Sequence, residues 1–198
     1  MLTIYQLKPK FQNLLRPLVQ SMANLGISAN QVTWFALFLS AFLGAAIYVT
    51  NGAFWALMLL PVGLFIRMAL NAIDGMLARE HKMQSKKGSM LNEMTDVFSD
   101  TVIYLPFAWL PNAPSKLIIV FVILSILVEM SGVVAQTISQ TRRYDGPMGK
   151  SDRSFIMGLF SMLLAYEMLT ETLATYYFIV ALILSLCTLY KRMSKGIK

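Results

Sequence analysis

The chain has 198 residues, 57% of them hydrophobic and only 14% charged, a balance that excludes intrinsic disorder and an ordinary soluble domain and fits a membrane protein. Seventeen basic against ten acidic residues leave a net charge of +7. With so apolar a chain that excess suits an anionic lipid surface, and the aromatic-interleaved basic tracts of a nucleic-acid binder are absent. A single cysteine, Cys187, in an apolar run, excludes an intramolecular disulfide and a multi-cysteine zinc site.

From the N-terminus, Leu7, Phe11, Leu14, Leu15, Leu18 and Met22 recur at helical spacing while Lys8, Lys10 and Arg16 fall elsewhere, so residues 1–30 are expected to form an interfacial amphipathic segment. The first strongly apolar run begins about 30 residues in and has no small-residue cleavage pattern, so no secretory signal is expected. No charge occurs from Pro17 to Ile66, a stretch too long for one span and interrupted by the turn pair Asn51-Gly52. The apolar runs predict six spans within residues 31–198, near 32–50, 53–79, 89–110, 116–141, 153–170 and 172–190. Span 5 has the shortest uncharged core, Ser154 to Tyr166, which leaves open a five-span arrangement with that segment re-entrant.

Six spans put both termini and the loops after spans 2 and 4 on one side. That side collects Lys8, Lys10, Arg16, Arg79, Lys82, Lys86, Lys87, Arg142, Arg143, Lys150, Arg153, Lys191, Arg192, Lys195 and Lys198, while Lys116 alone lies in an opposite loop. The positive-inside bias therefore predicts cytoplasmic termini.

The chemistry is expected where span 2 ends and span 3 begins. Residues three and four apart share a helix face, so Asn71, Asp74, Gly75 and Ala78 form one stripe and Asn92, Asp96 and Asp100 another. Carboxylates facing each other in a low dielectric repel unless neutralised, and an Asp-plus-Asn oxygen set suits Mg²⁺ or Mn²⁺. Gly75 and Ala78 leave open space beside such an ion, and Arg79 adds a cation at the rim, as a phosphate-bearing ligand requires.

At these residues the sequence resembles the CDP-alcohol phosphotransferase family, whose pattern is D-x2-D-G-x2-A-R, about eight residues, then G-x3-D-x3-D. Here it reads Asn71-x2-Asp74-Gly75-x2-Ala78-Arg79, eight residues, Gly88-x3-Asn92-x3-Asp96. The resemblance extends to Ile27-Ser28-Ala29-Asn30-Gln31-Val32-Thr33 and to Gly149-Lys150. It implies six helices around a polar cavity open to the cytoplasm, a homodimer, a bacterial-type inner membrane location, and a donor such as CDP-diacylglycerol. In that chemistry an acceptor hydroxyl attacks phosphorus and CMP leaves. By position, Asp74, Asn71, Asn92 and Asp96 are the implied ligands of one or two Mg²⁺ or Mn²⁺ ions. Gly75, Ala78, Arg79 and Gly88 are implied at the CMP end, and Asp96 as general base. Two of the family's aspartates are Asn71 and Asn92 here, so the charge is either restored by Asp100 and Glu93, about 20° apart around an ideal helix, or the roles slide one turn to Asp96 and Asp100.

The loop before span 5 lies on the same side and carries Arg142, Arg143, Lys150 and Arg153, which the resemblance implies at an acceptor phosphate, as of glycerol 3-phosphate; topology alone is the plainer account of such charges. Arg67 and Glu129 lie within spans, where a charge needs a partner or a cavity, and they are candidates to pair with each other. Competing functions are a catalytically silent nucleotide- or lipid-binding membrane protein and a small transporter. The first is kept open by Asn71 and Asn92; the second is disfavoured because the cluster lies towards one membrane face.

Overall fold

The structure is a computed structural model that describes residues 4–197, with side chains from residue 9 onward. Every described regular element is helical. α1 runs Ile4–Asn24, α2 Ala29–Val49, α3 Phe54–Glu80, α4 Lys86–Tyr104, α5 Ser115–Ser139, α6 Lys150–Ala165 and α7 Glu171–Gly196. A short 3₁₀ turn, Leu105–Trp109, extends α4, because Pro106 cannot donate to a continuing α-helical ladder.

Local sequence explains the ends. Ser28 caps α2 by accepting from the Gln31 backbone N–H at 3.3 Å while the Gln31 side chain accepts from the Ser28 N–H at 2.8 Å, a reciprocal box that satisfies two orphan donors. Ser85 caps α4 through the Gly88 N–H and Thr170 caps α7 through the Leu173 N–H. The reversal from α2 to α3 passes through Asn51 and Gly52 at φ 49° and 75°, the left-handed region those two residue types tolerate.

α2, α3, α5 and α7 are long and apolar enough to cross a bilayer, so this is an integral membrane protein. α6, with 16 residues, reaches about 24 Å at 1.5 Å per residue, short of a hydrocarbon core of about 30 Å. α4 has the length but carries Lys86, Lys87, Glu93, Asp96 and Asp100. Both coincide with expected spans 3 and 5 and differ from the other four in these physical respects.

The helices alternate in direction and sort their contents by end. One end holds an apolar core of Leu43, Leu60, Ile103, Phe107, Phe121, Phe160 and Phe178, with the Phe160 and Phe178 rings meeting edge to face at 4.8 Å. The opposite end gathers the polar residues of α2, α3, α4, α5, α6 and α7. A smaller cluster there, Val19 with Val32, Ile73, Met76 and Leu77, fastens α1 to the bundle. α1 therefore divides its apolar face: Leu15, Val19 and Met22 pack inward while Leu14 and Leu18 stay exposed.

Candidate functional site

α3 and α4 bring the two stripes together. Asp74 is 3% exposed, and its Oδ2 accepts from the Thr33 hydroxyl of α2 and from the Asn92 amide of α4, both at 3.0 Å. Its Oδ1 is buried and has no partner, and one turn earlier the Asn71 Nδ2 is in the same condition. A buried carboxylate oxygen left unbonded costs free energy, so the pair marks a place that a further group completes. Gly75 is open for a reason: a Cβ there would lie 3.1 Å from the Arg79 guanidinium, which folds over it. A Cβ on Gly88 would sit 2.7 Å from the Asn30 Oδ1, so that glycine lets the start of α4 close against the start of α2.

Asp96, one turn beyond Asn92, pairs with the Lys150 ammonium from the first residue of α6. Both side chains remain partly exposed, at 18% and 23%. Asp100 lies one turn deeper in different company. Arg67 donates to its Oδ1 at 2.6 Å and Arg153 to its Oδ2 at 2.9 Å, and Arg67 also donates to the Asp96 carbonyl at 3.2 Å. Arg153 continues to Glu129 at 2.9 Å and to the Met148 carbonyl. Arg142 bridges Glu129 and Glu93, and Arg192 lies 3.5 Å from Glu129. A line of alternating charges thus runs through the bundle from α3 to α7.

Several expected residues stand apart from the open site. Asp100 is 4% exposed and Arg153 1%; each is the other's counter-ion, which is a different setting from the base and acceptor-phosphate roles expected of them. Arg67 and Glu129 do not pair with each other: Arg67 takes Asp100, and Glu129 takes three arginines. Arg143 donates to the Lys195 carbonyl at 2.8 Å. Lys195 also bonds the Asp145 carboxyl and holds it below the usual carboxylate range. Glu93, a candidate to restore charge to the site, is committed to Arg142.

Two contributors went unassigned in the sequence. Thr33 supplies a hydroxyl to Asp74, and Asn30 supplies the surface on which Gly88 packs. The signal for both was the Asn30-x2-Thr33 spacing, one helical turn at the start of α2.

The profile of the CDP-alcohol phosphatidyltransferase family matches residues 26–189. The chain belongs to this family. Inner membrane protein YnbA of Escherichia coli (strain K12) is 47% identical over 164 residues, 83% of this chain and 81% of that protein. Among solved structures, phosphatidylinositol phosphate synthase of Mycobacterium tuberculosis with CDP-DAG bound superposes with a TM-score of 0.75 at 14% identity, covering 91% of this chain and 92% of that one. The same enzyme in complex with manganese and citrate gives 0.74 at 15% identity, covering 91% and 87%. At these identities the likeness is one of fold.

For a member of this family the fit to a divalent ion is testable in the side chains themselves. The unbonded Asp74 Oδ1 is a hard carboxylate oxygen that no protein donor occupies. Asn71 joins it if its amide turns over, a rotation that exchanges an unsatisfied N–H₂ for a carbonyl oxygen. Asn92, whose Nδ2 is held by Asp74, has a side-chain carbonyl oxygen that remains available as a further donor. The donors therefore fit one Mg²⁺ or Mn²⁺ ion. Among the described residues no three His, Cys, Asp or Glu side chains converge, so carboxylates alone do not form the site.

Proposed function

We propose that this protein transfers a phosphatidyl or similar substituted phosphoryl group from a CDP-linked donor, CDP-diacylglycerol being the first choice, to an acceptor alcohol, with release of CMP. The observation that carries the reading is the juxtaposition of the unbonded Asp74 carboxylate, Gly75 and Arg79 on α3 with Asn92 and Asp96 on α4. A guanidinium at the rim beside buried oxygen donors and a partly exposed carboxylate supports binding of an anionic donor with a cation.

Asp74, with Asn71 and Asn92, would hold a divalent ion, and that ion supplies Lewis-acid neutralisation of the pyrophosphate when bound. Arg79, exposed at the rim and lying over Gly75, offers guanidinium donors to the nucleotide end. Asp96 is the general base. An acceptor oxygen attacks the phosphorus that bears the lipid alcohol, the phosphorus–oxygen bond to CMP breaks, and the hydroxyl proton passes to the Asp96 carboxylate. Asp100 is a positioning residue in this scheme, because it fixes Arg67, whose second donor holds the Asp96 carbonyl.

The preference for a phosphorylated acceptor such as glycerol 3-phosphate rests on Lys150, the cation beside Asp96. Arg142, Arg143 and Arg153 serve the scaffold that surrounds it. The six-span arrangement with cytoplasmic termini follows from the charge bias of the loops, with α4 and α6 as the two less apolar crossings; each still exposes apolar side chains, Met94 and Phe98 on α4 and Phe155 on α6.

The test is CMP release from CDP-diacylglycerol by the purified protein in detergent with Mg²⁺ or Mn²⁺. Glycerol 3-phosphate, serine, inositol and inositol phosphate are the acceptors. Release with one acceptor, lost in Asp96→Asn, supports the reading. Tight CDP-diacylglycerol binding without release from any acceptor favours the silent binding protein, which Asn71 and Asn92 make the second reading.

A further inference from the structure

Of Asp74, Glu93, Asp96, Asp100 and Glu129, the five acidic side chains that the site and the charge line use, four have a basic partner. Glu93 pairs with Arg142, Asp96 with Lys150, Asp100 with Arg67 and Arg153, and Glu129 with Arg142, Arg153 and Arg192. Asp74 is the exception of the five: its contacts, Thr33 and Asn92, are neutral, and one of its oxygens has none.

The placement of Lys150 is itself informative. It is the first residue of α6, where a cation opposes the helix dipole, and the Gly149 N–H bond to Asp152 fixes that end of the helix at 2.9 Å. A lysine held there against the dipole is stabilised by the Asp96 carboxylate across the groove.

We infer that Lys150 is a built-in counter-cation for Asp96, so that this site binds one divalent ion per chain, on Asp74, and has no place for a second. The inference deepens the proposed function and rests on it for the presence of the ion. Charge supports it. Asp74 and Asp96 are matched by Lys150 and Arg79, so a single divalent ion balances the two charges of a bound pyrophosphate. Before any phosphorylated acceptor arrives, a second ion would leave a surplus of two positive charges in a partly buried site, where unbalanced charge is costly. Asn71 and Asn92 belong to the same design, because each presents a neutral oxygen that can join one ion but cannot attract another.

Mn²⁺ titration of the purified protein in detergent, followed by electron paramagnetic resonance without substrate, tests this. Wild type is expected to bind one equivalent, and Asp74→Asn to bind none. Lys150→Met is expected to open Asp96 to the metal, seen as at least tenfold tighter binding or as a second equivalent. Size-exclusion profile and helicity establish that each variant is folded, with Lys150→Gln in reserve. Two equivalents in the wild type, none in the wild type, one surviving in Asp74→Asn, or an isotherm unchanged by Lys150→Met would each overturn the inference. The function can fail separately: one Mn²⁺ bound without CMP release removes the transferase reading and leaves the counter-cation standing, while CMP release with two Mn²⁺ does the reverse.

Discussion

Two groups of polar side chains, barely one helical turn apart on α4, are built on opposite plans. Around Asp100 every carboxylate oxygen has a guanidinium partner, and Asp100, Arg67 and Arg153 are closed to solvent. Around Asp74 and Asp96 the pairing is incomplete, Asp74 has neutral amides and a hydroxyl for neighbours, and part of the surface is open. The same residue types therefore do two jobs, and what separates them is satisfaction. Where every carboxylate oxygen has a cation the network is scaffold, although the Arg67 and Arg142 Nε atoms stay unbonded, and where a buried carboxylate oxygen has no donor there is room for a ligand.

If that division is right, substitutions should split into those that remove chemistry and those that remove fold. The largest effect is expected at Asp96. Asp96→Asn should lower CMP release by about 10² to 10⁴-fold, the usual worth of a general base, with the thermal unfolding midpoint in detergent nearly unchanged. Asp100→Asn should act chiefly on the fold, with a smaller loss of activity through Arg67. Breaking a buried ion pair from one side costs about 3–5 kcal/mol, which for a chain of this size lowers the midpoint by on the order of 10 °C; a folded, stable Asp100→Asn protein without activity would erase the distinction.

Thr33→Val probes the border between the two plans. Losing a hydrogen bond to a charged group costs about 1.5–3 kcal/mol, and because the lost donor faces Asp74, Mn²⁺ affinity should change along with stability; calorimetric titration beside thermal unfolding separates the two. The smallest effect is expected at the exposed pair of Arg16 and Glu80, 3.2 Å apart. Arg16→Ala should cost less than about 1 kcal/mol, and a drop of several degrees in the unfolding midpoint would mean that α1 contributes more to the bundle than this surface contact.

The helices were legible because the bilayer penalises exposed backbone and charge alike, so apolar run length and the Asn51-Gly52 break carry their positions directly. The order of the site was legible too, since Asn71, Asp74, Gly75, Asn92 and Asp96 are neighbours by helical spacing. Pairing across helices was not. Arg67 and Glu129 each needed a partner, but which one depends on how α3, α5 and α6 turn about their axes, and an interior of several charges offers many neutral combinations. Asp100 looked like a spare site carboxylate because it extends the stripe of Asn92 and Asp96. One turn along α4 is also about 5.4 Å further into the bundle, and at that depth Arg67 and Arg153 converge on it. Thr33 was hidden for a simpler reason, that a threonine in an apolar helix most often bonds its own backbone, as this one also does to the Ala29 carbonyl.

The charge line from Arg67 to Arg192 has a bearing on how the molecule is made. Its members come from α3, α4, α5, α6 and α7 and from the loop that carries Arg142, so no helix of that set can enter the hydrocarbon with its charge matched until at least one other has arrived. Until the last of them docks, a nascent bundle shows the lipid or the insertion machinery an unpaired arginine or carboxylate. That is a signature which membrane proteases and chaperones can read. Faults in this line should therefore register first as shortened cellular lifetime, well before any assay of turnover is run.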